Sequence, residues 1–390
     1  MDSQLECSSD YIVIIDNHQL DQYCEAWKSK PFLAMDTEFM RVDSFYPKAA
    51  LFQLNDGESN FLIDPLSIND WERFIALMLS EKICKVFHSC SEDLLVFIRQ
   101  FGILPRPVFD TQIANAFLNQ GFALSYQNMV SEQLGIELPK GETRSNWLQR
   151  PLRDQQLDYA ALDVAYLPEI YTSQKAKLTA MGRLVWVTED CDRLLGNYKE
   201  EMEQDFSQVY RNIGAAWQLD EKQLGILKVL AQWREQRARY RDKPRNWIIK
   251  DKELLAIAKS APKDMEQLSK INGLNPNFLK HEGTALIELI QNNINTETAG
   301  LQPLPRPLSN GQKKIFKQAQ RLVERKAQEL ELPIEILGRK RTLISLFQEV
   351  LQLKTGVVEQ SVDTSEIKLP DELTGWRREI LLQELLEIFS

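Results

Sequence analysis

Long apolar runs are missing from this 390-residue chain. Stretches such as Leu94–Ile98 fall far short of the roughly 18 residues a membrane span needs, so no transmembrane helix is expected. The start, Met1 to Asp10, has no basic cluster, and the apolar Tyr11–Ile15 is too short for a signal core, so a cytoplasmic location is expected. Cysteine is scarce: Cys7, Cys24, Cys84, Cys90 and Cys191 are odd in number and contain no Cys-x-x-Cys pair, which fits neither a disulfide framework nor a zinc site. Neither a Gly-x-Gly-x-x-Gly turn nor a Gly-Lys-Ser/Thr loop is present, which sets aside nicotinamide and P-loop nucleotide enzymes. Positive charge is short overall. A net charge of −9 argues, on the average, against a phosphate-rich partner.

The distribution says otherwise. Lys222–Lys252 carries ten Lys/Arg against three Asp/Glu, and Pro305–Ser345 ten against four, so an acidic chain keeps two basic stretches in which RNA or DNA could bind. Hydrophobic residues at 43% and charged residues at 26% are ordinary globular values, and the length predicts two or three domains. Up to about residue 200, short β-rich runs (Tyr11–Ile15, Phe32–Met35, Ala50–Leu54, Asn60–Ile63, Lys85–His88) come first. Helical patterns follow over Ser91–Phe101, Thr111–Leu118, Ser125–Leu134 and Asp154–Tyr171. This predicts an α/β domain whose mixed sheet starts with an antiparallel meander. Beyond Tyr210 the pattern is helical, with a polar, Pro-containing linker over Asn293–Pro307. Two basic helices, Glu221–Arg241 and Asn310–Glu331, each run into a Pro-containing turn (Pro244, Pro333), a weak internal repeat. The expected domains are 1–207, 208–295 and 296–390.

Phe32-Leu33-Ala34-Met35-Asp36-Thr37-Glu38 reads as an apolar strand ending in two carboxylates. Residues two apart on a strand face the same way, so Asp36 and Glu38 can converge on a hard cation, although a solvated strand end is the better reading of the pair taken alone. Asp93, early in a helix with Ser91 and Glu92, suits either a site or the helix dipole. Tyr159 and Asp163, four apart, share a helix face.

In order along the chain, Asp36-Thr37-Glu38, His88-Ser89-Cys90-Ser91-Glu92-Asp93-Leu94 and Tyr159-Ala160-Ala161-Leu162-Asp163 closely resemble the DEDD superfamily of 3′→5′ exonucleases, in its tyrosine-bearing branch. Phe109-Asp110-Thr111-Gln112 and Arg144-Ser145-Asn146-Trp147-Leu148-Gln149-Arg150-Pro151 are similar to the ribonuclease D family, and the helical blocks resemble its HRDC domains, the second more weakly. The resemblance implies a ribonuclease-H-like exonuclease fold followed by two all-α domains. It also implies two Mg²⁺ or Mn²⁺ ions: Asp36 bridging both, Glu38 and Asp163 completing one site, Asp93 holding the other through water, and Tyr159 positioning the attacking water. The implied activity is 3′→5′ exoribonucleolytic release of 5′-mononucleotides from precursor tRNA ends, with a monomer favoured. A DNA exonuclease and a non-catalytic RNA-binding adaptor are the alternatives.

Substrate contacts are expected from Phe39 and Met40 as apolar wedges, Gln53 at the terminal sugar, and His88, although each also fits a packing role. Lys140, Arg144, Trp147 and Arg150 lie in a loop-like segment where cations can meet phosphate and an indole can stack on a base. In the first helical block, Arg237, Arg241, Lys243, Arg245 and Trp247 are the expected RNA contacts.

Overall fold

The structure, a computed structural model, describes residues 10–139, 141–142, 145–293, 301, 304–356 and 367–389. They form two compact units: residues up to Met40, Pro47–Tyr198 and Ser309 onward in one, Arg41–Tyr46 and Lys199–Leu308 in the other. Among the described residues no helix is long and apolar enough to cross a membrane.

The first unit runs β1 (Tyr11–Ile14), α1 (Asn17–Trp27), β2 (Phe32–Met40), β3 (Lys48–Asn55), β4 (Asn60–Ile63), α2 (Glu72–Met78), β5 (Cys84–Phe87), α3 (Ser91–Phe101), β6 (Val108–Asp110), α4 (Thr111–Phe117), α5 (Tyr126–Leu134), α6 (Asp154–Ala165), α7 (Leu167–Ala180) and α8 (Leu184–Gly196). Its sheet is mixed, in the order β1-β4-β3-β2-β5-β6, and β2-β3-β4 form the expected antiparallel meander. Leu33, Met35, Phe52 and Leu54 on one face pack with Trp27, Phe74 and Phe97 from α1, α2 and α3. On the other face Leu51 and Leu62 pack with Trp147 and with Ala160 of α6.

Two expectations need correcting. The strand does not end at the acidic pair: β2 continues to Met40 because β3 pairs with it along that length, so Asp36 and Glu38 lie inside the strand, just before a bulge between Glu38 and Phe39. The helix expected over Asp154–Tyr171 is two helices, broken at Tyr166. Pro168 supplies no backbone N–H to an ongoing helix but suits the first turn of a new one. The three-residue β6 was too short to be read.

The second unit contains α9 (Lys199–Glu203), α10 (Glu221–Tyr240), α11 (Arg245–Ile248), α12 (Asp251–Ser260), α13 (Met265–Ser269) and α14 (Pro276–Asn293) around a core of Leu224, Leu227, Leu230, Leu254, Ile257 and Leu286. The rest of the chain, α15 (Asn310–Glu329), α16 (Ile334–Leu337), α17 (Lys340–Gly356) and α18 (Trp376–Phe389), belongs to the first unit. There Arg377 makes a buried bidentate pair with Asp190 of α8, and Trp376 stacks on Trp186 with centroids 4.6 Å apart. The repeat is clearer in structure than in sequence. Both α10 and α15 start from a capping box, Asp220/Gln223 and Ser309/Gln312, and both are followed by an extended proline, a four-residue helix and a longer helix.

Candidate active site

β2 carries Asp36 and Glu38 on one face of the sheet, toward α6, whose Tyr159 and Asp163 lie one turn apart. Asp93 enters from the first turn of α3. The turn before α3 is held by Asp110, which caps α4 through the amides of Gln112 and Ile113 and also accepts from the amides of Ser89 and Cys90. Thr37, between the two strand acids, donates its hydroxyl to Asp93. Tyr126 ties down the break between α6 and α7, donating to the Leu162 carbonyl and accepting from the Tyr166 amide.

The three elements thus bring the four carboxylates into one electrostatic neighbourhood. Burial, then Asp93, Asp163 and Glu38, raise the Asp36 carboxyl well above the usual range. Burial, Asp163 and Asp93 push Glu38 to about 9. Asp163 is pushed to about 8 by burial and Asp93, against a lowering hydrogen bond from Tyr159. Asp93 rises only to about 6, because burial is offset by hydrogen bonds from Thr37. The Tyr159 phenol is raised by burial and by Asp163, Glu38 and Asp36, so it stays protonated and hydrogen-bonded to Asp163. None of the four acids is ion-paired to Lys, Arg or His among the described residues.

The acids are near enough to raise one another's pKa, yet among the described residues no three His, Cys, Asp or Glu side chains form a finished ligand cluster. That arrangement still fits Mg²⁺ or Mn²⁺, which take oxygen donors only and commonly complete their shells with water and substrate oxygens. The fit rests on the lack of a protein cation: like carboxylates at about 4 Å repel by roughly 4 kcal/mol at an effective dielectric near 20, and only the neutral donors Thr37 and Tyr159 offset it.

The expected substrate contacts fare differently. Phe39 is half-buried against the α1–α3 side of the sheet, and Met40 packs with Trp147 on the other. Gln53 is wholly enclosed on a central strand, so it reaches no open surface. His88 commits one ring nitrogen to Thr111 Oγ1 (2.9 Å) and the other to the Leu124 carbonyl (3.0 Å), a structural arrangement. Trp147 is 1% exposed and lies against Tyr159 (centroids 6.2 Å), so the stacking expected of it is corrected: its indole fills the core under α6. Arg150 is tied to Asp64, at 2.6 and 2.7 Å, and to the Ala50 carbonyl. Lys140 and Arg144 lie outside the described residues.

In the second unit the basic stretch is largely neutralised. Arg237 and Arg241 both bind Glu282, Arg245 binds Glu235, and Lys243 binds Asp43. Counting charge along a short segment missed these acids because two of them, Glu282 and Asp43, come from distant parts of the chain. Trp247 stays 63% exposed, with Lys243 Nζ 5.5 Å from its ring centroid. Among residues the sequence reading passed over, Thr37 and Asp110 had a signal, a hydroxyl between two acids and an Asp-Thr helix start; Tyr126 had none.

Comparison with known proteins gives concordant results. The family described as 3′-5′ exonuclease matches residues 11–179, and the HRDC domain family matches residues 223–290. Ribonuclease D of Pseudomonas paraeruginosa is 40% identical over 379 residues, 96% of either chain, and that of Haemophilus influenzae is 37% identical over 94% of this chain and 90% of its own. The crystal structure of Escherichia coli RNase D, described as an exoribonuclease involved in structured RNA processing, superposes with a TM-score of 0.85 at 32% identity, covering 97% of this chain and 98% of that one.

Proposed function

Because the chain belongs to the ribonuclease D family and is a 3′→5′ exoribonuclease, we propose that Asp36, Glu38, Asp93 and Asp163 hold a pair of divalent cations and that the enzyme trims precursor tRNA 3′ ends one 5′-mononucleotide at a time. One observation carries the site: four carboxylates from β2, α3 and α6 share a cleft without a protein cation. When bound, the cations would neutralise phosphoryl oxygens and lower the pKa of a water. The chain's own part is positional. Asp36 and Glu38 are fixed by the pleat of β2, Asp93 by Thr37, and Asp163 by Tyr159. Tyr159, kept as a neutral phenol, is a poor base at neutral pH and a good orienting group, since its oxygen can still accept from a water.

For RNA beyond the cleft we propose Trp247 with Lys243, since the indole is exposed beside an ammonium. Arg237, Arg241 and Arg245 are paired with the buried Glu282 and Glu235 and recede as contacts, whereas Lys243 is paired only with the exposed Asp43, a surface pair that a phosphate can displace. We also propose the domain division 1–207, 208–295 and 296–390. The HRDC match supports the second domain, and the repeated helix plan supports the third.

The test is a 3′-extended tRNA incubated with Mg²⁺ or with a chelator, the products sized nucleotide by nucleotide beside a DNA strand of the same sequence. Stepwise shortening from the 3′ end of the RNA, lost on chelation, is expected. Shortening that survives chelation would end the cation reading, and equal digestion of DNA would end the RNA preference.

A further inference from the structure

Gln53 stands directly opposite Asp36 in the register of β2 and β3, so both side chains leave the sheet on the face that α6 covers. Its carboxamide is wholly buried, and neither Nε2 nor Oε1 has a hydrogen-bond partner. Native proteins rarely leave a buried amide unpaired, because it has lost water and gained nothing in return. In the same layer Trp147, 1% exposed, also keeps Nε1 unpartnered.

The choice of partners for Gln53 is narrow. Along its own strand and across to β4, the same-face neighbours are Leu51, Leu62, Asn55 and Asn60, and the two asparagines are already bound to each other, to the Gly57 amide and to the Asp10 carbonyl. Across to β2 they are Ala34, Asp36 and Glu38. The layer therefore holds an unpartnered carboxamide directly beside the Asp36 carboxyl, whose own hydrogen bond comes from the Thr37 amide.

We infer that Gln53 is a positioning residue for Asp36: the two are paired in register, and a turn of the unpartnered carboxamide brings Nε2–H to one carboxylate oxygen from the core side while the other serves a divalent cation in the cleft. This rests on the cation reading proposed above. The bond is not made in this structure; it forms when a cation holds Asp36 as the carboxylate, since a charged acceptor in a water-free layer binds an amide donor more tightly than a neutral one. Groups of this kind orient a ligand without touching the metal, and their loss typically lowers metal affinity ten- to a hundredfold.

The experiment titrates Mn²⁺ into the full chain by calorimetry, with Gln53→Met, Gln53→Leu and Asp36→Asn compared with wild type, and melts each protein in EDTA. Met keeps the volume and removes the donor, and Leu is the second choice should Met pack poorly. Expected are a Kd for Mn²⁺ about tenfold weaker in the Gln53 variants, a melting temperature in EDTA equal to or above wild type, and a kcat that falls while KM for RNA holds. An unchanged Mn²⁺ affinity in a variant that melts normally overturns the inference and leaves the cation reading standing. Equal binding by wild type and Asp36→Asn overturns both.

Discussion

Two buried carboxylates invite comparison, Asp36 in the cleft and Glu235 in the helical unit. Both are drawn out of water, which favours the neutral acid. At Glu235 burial is outweighed by hydrogen bonds and attraction from Arg245 and Arg239, and its carboxyl is held below the usual range. At Asp36 burial is reinforced by three more acids, and its carboxyl is held far above it. One charge is satisfied by its own chain. The other waits for something from outside, which is what separates a structural cluster from a functional one.

Neutralising each acid should therefore have opposite effects. Asp36→Asn is expected to cut mononucleotide release about a thousandfold, roughly 4 kcal/mol of transition-state stabilisation, while raising the melting temperature in EDTA by about 2 °C as repulsion is relieved. Glu235→Gln leaves Arg239 and Arg245 without their common partner at a site 2% exposed, and should cost about 3 kcal/mol in chemical denaturation with kcat on short RNA unchanged. Comparable activity of wild type and Asp36→Asn, or a fall in stability in both variants, would erase the distinction.

The contrast extends to pH. Glu38 and Asp163, with values of about 9 and 8 against roughly 4 in the unfolded chain, keep protons that the unfolded chain gives up. Between about pH 5 and about pH 8 the folded state binds more protons, so the cleft's contribution to stability falls as pH rises. For Glu235 the sign reverses: its stabilisation is complete above the unfolded pKa and is lost on acidification. Melting in EDTA should drop by a few degrees from about pH 5.5 to about pH 8.5, and saturating Mn²⁺ should remove most of the slope. A slope that Mn²⁺ leaves untouched would mean the raised carboxyls do not face the cation.

Much of the cleft was legible in the sequence, because strand alternation and helix spacing are local rules: Asp36 with Glu38 and Tyr159 with Asp163 needed only periods of two and 3.6. Their meeting with Asp93 was not local, and family resemblance supplied it. The helical unit was misread for the same physical reason. Lys222–Lys252 looked like a free basic surface, since a count along the chain sees Arg237 and Arg241 but not Glu282, which α14 brings to both. Trp147 was misplaced because an indole between two arginines looks the same in sequence whether it stacks on a base or fills a core.

The smallest effect expected is at Trp247, and it is informative because the blunter experiment misleads. Deleting everything after about residue 207 removes the helical unit but also pulls Arg377 from Asp190 and Trp376 from Trp186, so lost RNA binding could reflect a damaged nuclease unit. Trp247→Ala disturbs neither, because the ring is exposed and unburdened by packing. Stacking on one base contributes about 1 to 3 kcal/mol, so single-stranded RNA should bind roughly fivefold more weakly at any salt concentration, with the salt slope unchanged because no cation is lost. Lys243→Ala should do the reverse and flatten the slope by about one counterion. If Trp247→Ala flattens the slope instead, the ring acts by holding Lys243 in place rather than by meeting a base.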